Sequence, residues 1–300
     1  MSGFSLGSIP LIKLKSLNER NLYSLITSCN ILAGNVITNY TNNISSVGGG
    51  ITQEAINANY NFVLNLCNAG LWDKFAEIGT FSGNSLTSSL IKLKYQSQPS
   101  LISYNYVEGN YLESIGLESG AVNSYIDTSV SLNTIDNLSS LNMHLSIYVM
   151  NDVPTNVSNR SYIGVNQGSS RAYIIQRNVD NAISKVEGIV LNNDCASVYN
   201  NPPFSKGLWT VNNTSDFYNR LYLNQNKVGE DFIQPEWRNL ELPDLSVFLN
   251  AIHNSDNNPT AFGETTIGFY SIGEGFNLNE QVEFYNIFST FLTEVGRTIV

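Results

Sequence analysis

The sequence predicts a mainly β protein, two antiparallel sheets packed face to face with helices at both ends of the chain, and three observations carry that expectation. From about Gly79 onward the chain breaks into short runs rich in Ser, Thr, Asn, Tyr, Val and Ile, separated by Gly or Asn, which is the length and chemistry of strands. No long helical pattern separates these runs, so alternating β and α units are disfavoured and stacked sheets remain. Before residue 80 and again after residue 276 the apolar period becomes that of a helix,.

Taken in order, Leu17 to about Ile37 has apolar residues three and four apart, a short helix around Leu22, Leu25, Ile26 and Cys29, and NYTNNISSVGGG punctuates it,. Thr52, with Glu54 and Ala55, opens a clearer helix in which Ile56, Tyr60, Val63 or Leu64, and Cys67 share a face, and Gly70 is its stop,. LWDKFAEIG reads as one or two further turns with Trp72 as a core anchor. The strand candidates are SLIKLKYQ, HLSIYVM, SYIGVNQ, RAYIIQR, FYNRLYLNQNKVG, SVFLNAI and TTIGFYSIG. In the second, His144, Ser146 and Tyr148 alternate with Leu145, Ile147 and Val149, a polar face against an apolar one,. In the fifth, Gln225-Asn226 is read as the turn of a hairpin,. The last segment is a helix whose stripe is Val282, Tyr285, Phe288, Leu292 and Val295, broadened by Phe284 and Phe291, with Asn277 or Asn279 as cap and Gly296 as end,.

Composition narrows the function. A chain of 300 residues is long enough for a substantial core,. Its formal charge of -10 supplies little positive field for gripping phosphate backbones, so nucleic acid is not an expected partner,. Only 13% of residues are charged and 42 are Asn, so polarity is carried by amides and hydroxyls, a surface suited to neutral partners. Cys29, Cys67 and Cys195 match no close-spaced metal or redox pair and are expected as buried thiols, with a disulfide framework as the alternative,. The N-terminus lacks the apolar run of a signal peptide, and no stretch reaches 18 apolar residues,. The expectation is synthesis in a cytoplasm without classical export, and no membrane insertion.

ITQEAINANYNFVLNLCNAGLWDKFAEIG and IGFYSIGEGFNLNEQVEFYNIFSTFLTEVGR, with YLESIGLESGAVNSYIDTSVS, NMHLSIYVM, RLYLNQNKVG and the Ser246 to Ile252 strand between them, resemble bacteriophage and prophage structural proteins that carry a lectin-like domain. The resemblance covers about Ile51 to Val300. It implies a concanavalin-like or laminin-G-like jelly-roll sandwich over residues 81–276, a helical region at 51–80, a helix at 277–300 packed on the sandwich, and an attachment or assembly segment at 1–50. It also implies a virion protein made in the host cytoplasm, a homo-oligomer in contact with other virion proteins and with host surface carbohydrate.

Glycoside hydrolysis needs two carboxyl groups flanking the bond, and related folds with endoglucanase activity place acids in a Glu-x-Asp-x-x-Glu pattern that is absent here. Glu108, Glu113, Glu118, Asp216, Glu230, Asp231 and Glu236 form no alternating strand pair, so no catalytic residue is expected. His144 is expected on an exposed sheet face, and Ser271 lacks the glycine two positions earlier that a nucleophile elbow wants,. No cofactor is expected; the alternative is a calcium ion held by Asp127, Asp152, Asp194, Asp216 or the Asp256-Asn257-Asn258 turn,. Sugar binding wants an aromatic platform beside amides, which Trp209 with Asn212 and Asn213, and Trp237 with Arg238 and Asn239, offer on expected loops; packing in the core or between domains is the first expectation for each tryptophan, with ligand contact and a protein interface as the alternatives,. The functional expectation is a non-enzymatic virion protein of head fibre, tail fibre or accessory type, for assembly and host glycan adhesion. A carbohydrate-active enzyme on the same fold and a decoration protein without ligand are the alternatives.

Overall fold

The computed structural model describes residues 19–120, 122–152, 160–168, 170–180, 183–191, 196–200, 206–214, 216–237 and 240–299. Helices α1 (Glu19–Ser46) and α2 (Gln53–Ala69) precede β1 (Phe75–Gly79) and the single turn α3 (Leu86–Ser89). There follow β2 (Ile102–Tyr104), β3 (Tyr111–Leu112), β4 (Gly116–Glu118), β5 (Tyr125–Ser131), β6 (Met143–Val149), β7 (Arg160–Gln167), β8 (Ser170–Asp180), β9 (Ile183–Leu191) and β10 (Ala196–Asn200). The chain continues through β11 (Gly207–Thr214), β12 (Tyr218–Leu223), β13 (Asn226–Phe232), β14 (Ser246–Leu249), β15 (Ile252–Asn254), β16 (Pro259–Thr260), β17 (Thr266–Gly273) and α4 (Leu278–Glu294).

The strands form the sandwich that the sequence predicts. One sheet runs β13-β12-β11-β6-β17-β4-β3, with β1 along the end of β17, and the other runs β10-β9-β8-β7-β14-β5-β2, with β15 and β16 beside β7. Strand alternation builds the core between them. Leu145 and Ile147 of β6, Trp209 and Val211 of β11 and Ile272 of β17 face Ile126, Ile163, Val165, Ile174, Val247 and Leu249 of the second sheet,. Buried Lys92 crosses this core, donating to Glu77 of β1 at 2.7 Å and to the Thr128 carbonyl of β5 at 2.7 Å.

The first sheet is covered on its other face as well. Phe75, Tyr148, Leu208 and Phe269 pack under Ile37, Tyr40 and Ile44 of α1, Phe62 and Leu66 of α2, and Phe284, Phe288 and Phe291 of α4. Ring centroids of Phe269 and Phe288 are 4.7 Å apart, and those of Phe62 and Phe291 4.9 Å,. Thr52 caps α2, and Gly70 closes it at φ 69, as expected,. Asn277 and Glu280 form the capping box of α4,.

Several expectations are corrected. FAEIG is strand β1, not a helical turn, because the only helical part of that run is the 3-10 turn Trp72–Lys74. SLIKLKYQ makes isolated bridges, Ile78 to Lys94 and Ile91 to Ser100, in place of a strand. The β12–β13 turn is centred one residue earlier, on Asn224 at φ 59, with Leu223 opposite Asn226. On α4 the buried stripe is Phe284, Ile287, Phe288, Phe291 and Leu292, rotated from the one expected around Val282 and Tyr285, because the helix meets the sheet and α2 together.

Cys29 of α1 and Cys67 of α2 are not thiols but a disulfide, with Cα atoms 5.6 Å apart; two antiparallel helices bring together residues that sequence spacing keeps apart. Cys195 lies outside the described residues. Closing a loop of separation 38 contributes about 3–4 kcal/mol by chain entropy. A Cys29→Ser, Cys67→Ser double variant is therefore expected to lose about 2–4 kcal/mol in urea denaturation; an unchanged midpoint would show that the helix layer holds without its covalent link.

Candidate functional site

Among the described residues, the outer face of the second sheet, unlike that of the first, has no helix over it, and near the β2 edge it carries a row of rings. Tyr104 and Tyr125 are register partners across β2 and β5, and their rings stack 4.4 Å apart at 7°,. Tyr125 is 4.9 Å from Phe248 of β14, and Phe248 stacks on His253 at 4.0 Å and 6°. Phe262 closes on Tyr125 from one side at 6.1 Å.

Exposure falls along the row. Tyr104 is 40% exposed and Tyr125 half-buried, while Phe248 and His253 are buried. Because β2 is the last of the described strands in its sheet, the ring face of Tyr104 turned away from Tyr125 has no described strand beyond it. Polar groups frame the pair. Asn105 and Asn123 are exposed at its head, where the Asn105 amide donates to the Asn123 carbonyl at 3.1 Å. Asp127 lies two residues along β5, between Ile102 and Phe248 in register, and accepts from the Ser129 amide at 2.7 Å. That bond braces the kink at Ser129, φ 57. Burial pushes the Tyr125 hydroxyl up, and Tyr104 and the Asp127 charge push it further,.

The aromatic residues singled out from sequence do not make this site. Trp209 is in β11, fully buried between the sheets, 6.4 Å from Tyr199. Asn212 and Asn213 are buried too: Asn212 accepts from the Phe276 amide at 2.8 Å and donates to its carbonyl at 2.6 Å, and Asn213 donates to the Ser140 carbonyl at 2.9 Å. Asn-Asn reads as a turn in sequence, but here both amides satisfy backbone groups next to a central strand. Trp237 ends the 3-10 turn Pro235–Trp237, and Arg238 and Asn239 lie outside the described residues. The Tyr104 site was missed because its signal, Tyr and Asn alternating in SYNY and again in NSYID, becomes a platform only once β2 pairs with β5.

His144 is not exposed. It is buried under α4, stacked 4.2 Å from Phe276. Its Nδ1–H donates to the Glu274 carbonyl at 2.7 Å, and its Nε2 accepts from the Ser271 hydroxyl at 3.0 Å. Burial pulls the imidazole down to about 3, the Glu274 bond opposing and Lys74 adding, so it stays neutral. A Ser-His pair sealed beneath aromatic rings, with so weak a base, reaches no substrate.

Four of the carboxylates weighed from sequence are likewise engaged, while burial pushes the Asp231 carboxyl up against its bond from the Phe232 amide. Asp216 and Glu230 both bind Arg220, at 2.5 and 2.7 Å. Burial pushes each up, but hydrogen bonds outweigh it, from Arg220 and Thr214 on Asp216 and from Lys227 and Arg220 on Glu230, so both carboxyls lie below the ordinary range. A general acid for glycoside cleavage needs the opposite shift. Glu108 accepts from the Leu86 amide at 3.0 Å and Glu113 from the Thr52 hydroxyl at 3.1 Å.

Among the described residues no three His, Cys, Asp or Glu are grouped to hold a metal. Of the oxygens expected for calcium, Asp152 faces Lys206 at 3.9 Å, Asp256 accepts from the Asn258 amide at 3.3 Å, and Asp194 lies outside the described residues. Among the described residues lining a cleft of about 690 Å³ between Asn133–Leu141 and Leu240–Leu242 there is no ring, and the charge is Glu241.

No family model matches the chain, and no curated protein matches it. Among solved structures, the receptor binding domain of botulinum neurotoxin D is 16% identical over 71% of this chain and 52% of that one, with a TM-score of 0.48. The Ruminococcus gnavus IT-sialidase CBM40 is 12% identical over 48% of this chain and 82% of its own, TM-score 0.35. The NanB sialidase of Streptococcus pneumoniae is 14% identical over 51% of this chain, TM-score 0.36, and the match spans 25% of that enzyme. Similarity at this level assigns neither ligand nor activity.

Two outcomes follow from the placements. Trp209→Ala is expected to cost about 3–5 kcal/mol by leaving a cavity, and Tyr104→Ala about 1 kcal/mol, both read by urea denaturation; equal costs would return Tyr104 to the core. For His144, the unfolded imidazole takes a proton below about 6.5 and the folded one only near 3. Stability from this group is thus full above pH 6.5 and declines by roughly 1 kcal/mol per pH unit on acidification. His144→Gln should flatten that decline between pH 6.5 and 4 while lowering stability at pH 7; an unaltered slope would place the acid sensitivity elsewhere.

Proposed function

We propose that the protein is a non-enzymatic carbohydrate-binding module and that Tyr104 and Tyr125 form its platform. The observation that carries this is the stacked tyrosine pair at an open sheet edge, with Tyr104 40% exposed and the amides of Asn105 and Asn123 and the carboxylate of Asp127 around it. A pyranose presents an apolar face of C–H groups and a rim of hydroxyls. The first rests on a ring; the second pairs with amides and a carboxylate. The sealed Ser-His pair and the lowered carboxyls support binding without turnover.

In the finer reading the module sits on a bacteriophage particle as a homo-oligomer among other virion proteins, made in the host cytoplasm, and holds the particle to host surface glycans. The resemblance of Ile51 to Val300 to phage structural proteins supports this. In that reading the Cys29–Cys67 bridge closes once the particle has left the reducing cytoplasm,.

The test is titration calorimetry of the full chain with oligosaccharides selected on a glycan array. Tyr104→Ala is expected to weaken binding by about tenfold or more, ~1.4 kcal/mol, and Tyr104→Phe to keep most of it. Binding that survives Tyr104→Ala would move the site off this face.

A further inference from the structure

The ligand class at this site is set by charge. Asp127 is the charged side chain that stands in the row Ile102, Asp127, Phe248 beside the tyrosine pair. One of its oxygens accepts from the Ser129 amide, which leaves the other for a hydroxyl donor. Among the described side chains, the cations of the same neighbourhood are committed. Arg160 binds Glu264 at 2.6 Å and donates to the Phe262 carbonyl at 3.2 Å, so that pair adds no net charge next to Phe262. Arg171 donates to the Gly168 carbonyl at 2.7 Å and belongs to β8, separated from β5 by β14 and β7, about 14 Å at the usual strand spacing and beyond a physiological Debye length. Lys92 is buried on the inner side, held by Glu77 and the Thr128 carbonyl. The chain as a whole carries a formal charge of -10.

We infer that the sugar held by Tyr104 and Tyr125 is uncharged, with Asp127 accepting from its hydroxyls and turning away sialylated, uronate and sulfated glycans. This rests on the carbohydrate reading of the site. Asp127 does two things at once: it offers a lone pair that a hydroxyl donates to and a carboxylate cannot, and it sets a like charge against any acidic substituent. Attraction from a guanidinium or ammonium, which an acidic sugar would need in exchange for its lost hydration, is absent from the side chains described around the pair.

The experiment is a printed array of the full chain against neutral oligosaccharides, each beside its sialylated, uronate or sulfated counterpart, repeated at 50 and 500 mM salt. The expected result is a neutral ligand bound about tenfold or more tightly than its acidic partners, with the gap narrowing at high salt as screening removes the repulsion. Asp127→Asn keeps an acceptor for the Ser129 amide and removes the charge; it should bring the acidic glycans up towards the neutral ones. Acidic glycans bound as well as or better than neutral ones by the unaltered chain, with binding still lost in Tyr104→Ala, overturns the inference and leaves the carbohydrate reading standing. Binding to no glycan, or binding indifferent to Tyr104→Ala, overturns the reading of the site itself.

Discussion

A sheet with both faces buried must find partners for polar side chains that ordinarily meet water, and the first sheet of this protein is built around that demand. The strand alternation that sends Leu145, Ile147 and Val149 into the sandwich sends His144, Ser146 and Tyr148 under the helices. Each finds a partner there: Ser146 meets Thr210 at 2.9 Å, Tyr148 donates to the Thr298 carbonyl at 2.8 Å, and His144 is held by Glu274 and Ser271. The covering helix is fastened at both ends. Asn212 grips the backbone of Phe276 just before α4, and buried Arg297, just after it, donates to the carbonyls of Glu113, Thr80, Phe81 and Gly268. Leaving any of these donors or acceptors unpaired in so dry a layer costs more than the bond itself contributes.

Inside the sandwich the same problem recurs in charged form at Glu77 and Lys92. Burial pushes the Glu77 carboxyl up to about 7 against the pull of Lys92 and the Tyr270 hydroxyl. The ammonium spans from β1 in one sheet to the Thr128 carbonyl in the other, so the pair contributes registration of two sheets more than net stability. Both devices spend polar chemistry on structure, and both lie on or inside the covered half. Among the described residues the outer face of the second sheet, where the tyrosine pair lies, is left without a helix over it.

How much of this was legible from sequence follows from the range of the interactions. The sandwich, the cap at Thr52, the stop at Gly70 and the helix beginning at Asn277 are local: alternation, a capping hydroxyl, a glycine. FAEIG was misread because five residues too short to show a period take their conformation from β17. The rotation of the α4 stripe depends on what the helix packs against, which no helical wheel contains. At the candidate site, Trp209 has the ingredients of a platform in sequence, a tryptophan near two asparagines, but a central strand between two others removes it from solvent and leaves the core role that is its first expectation. Tyr104 and Tyr125 carry no such mark, being 21 positions apart with their neighbourhood decided by pairing,. The disulfide escaped for the same reason, since antiparallel helix packing and not spacing brings its sulfurs together.

The bridge between Cys29 and Cys67 also changes what a cut in the chain means. The connection from α1 to α2, residues 47–52, lies within the ring that the bridge closes. A protease that opened it would leave the backbone in two pieces and the particle of protein in one, with α1 still fastened to the body through sulfur. Such a molecule would run as a single species until a reductant was added, so a nick there is invisible to any assay of size performed under oxidising conditions.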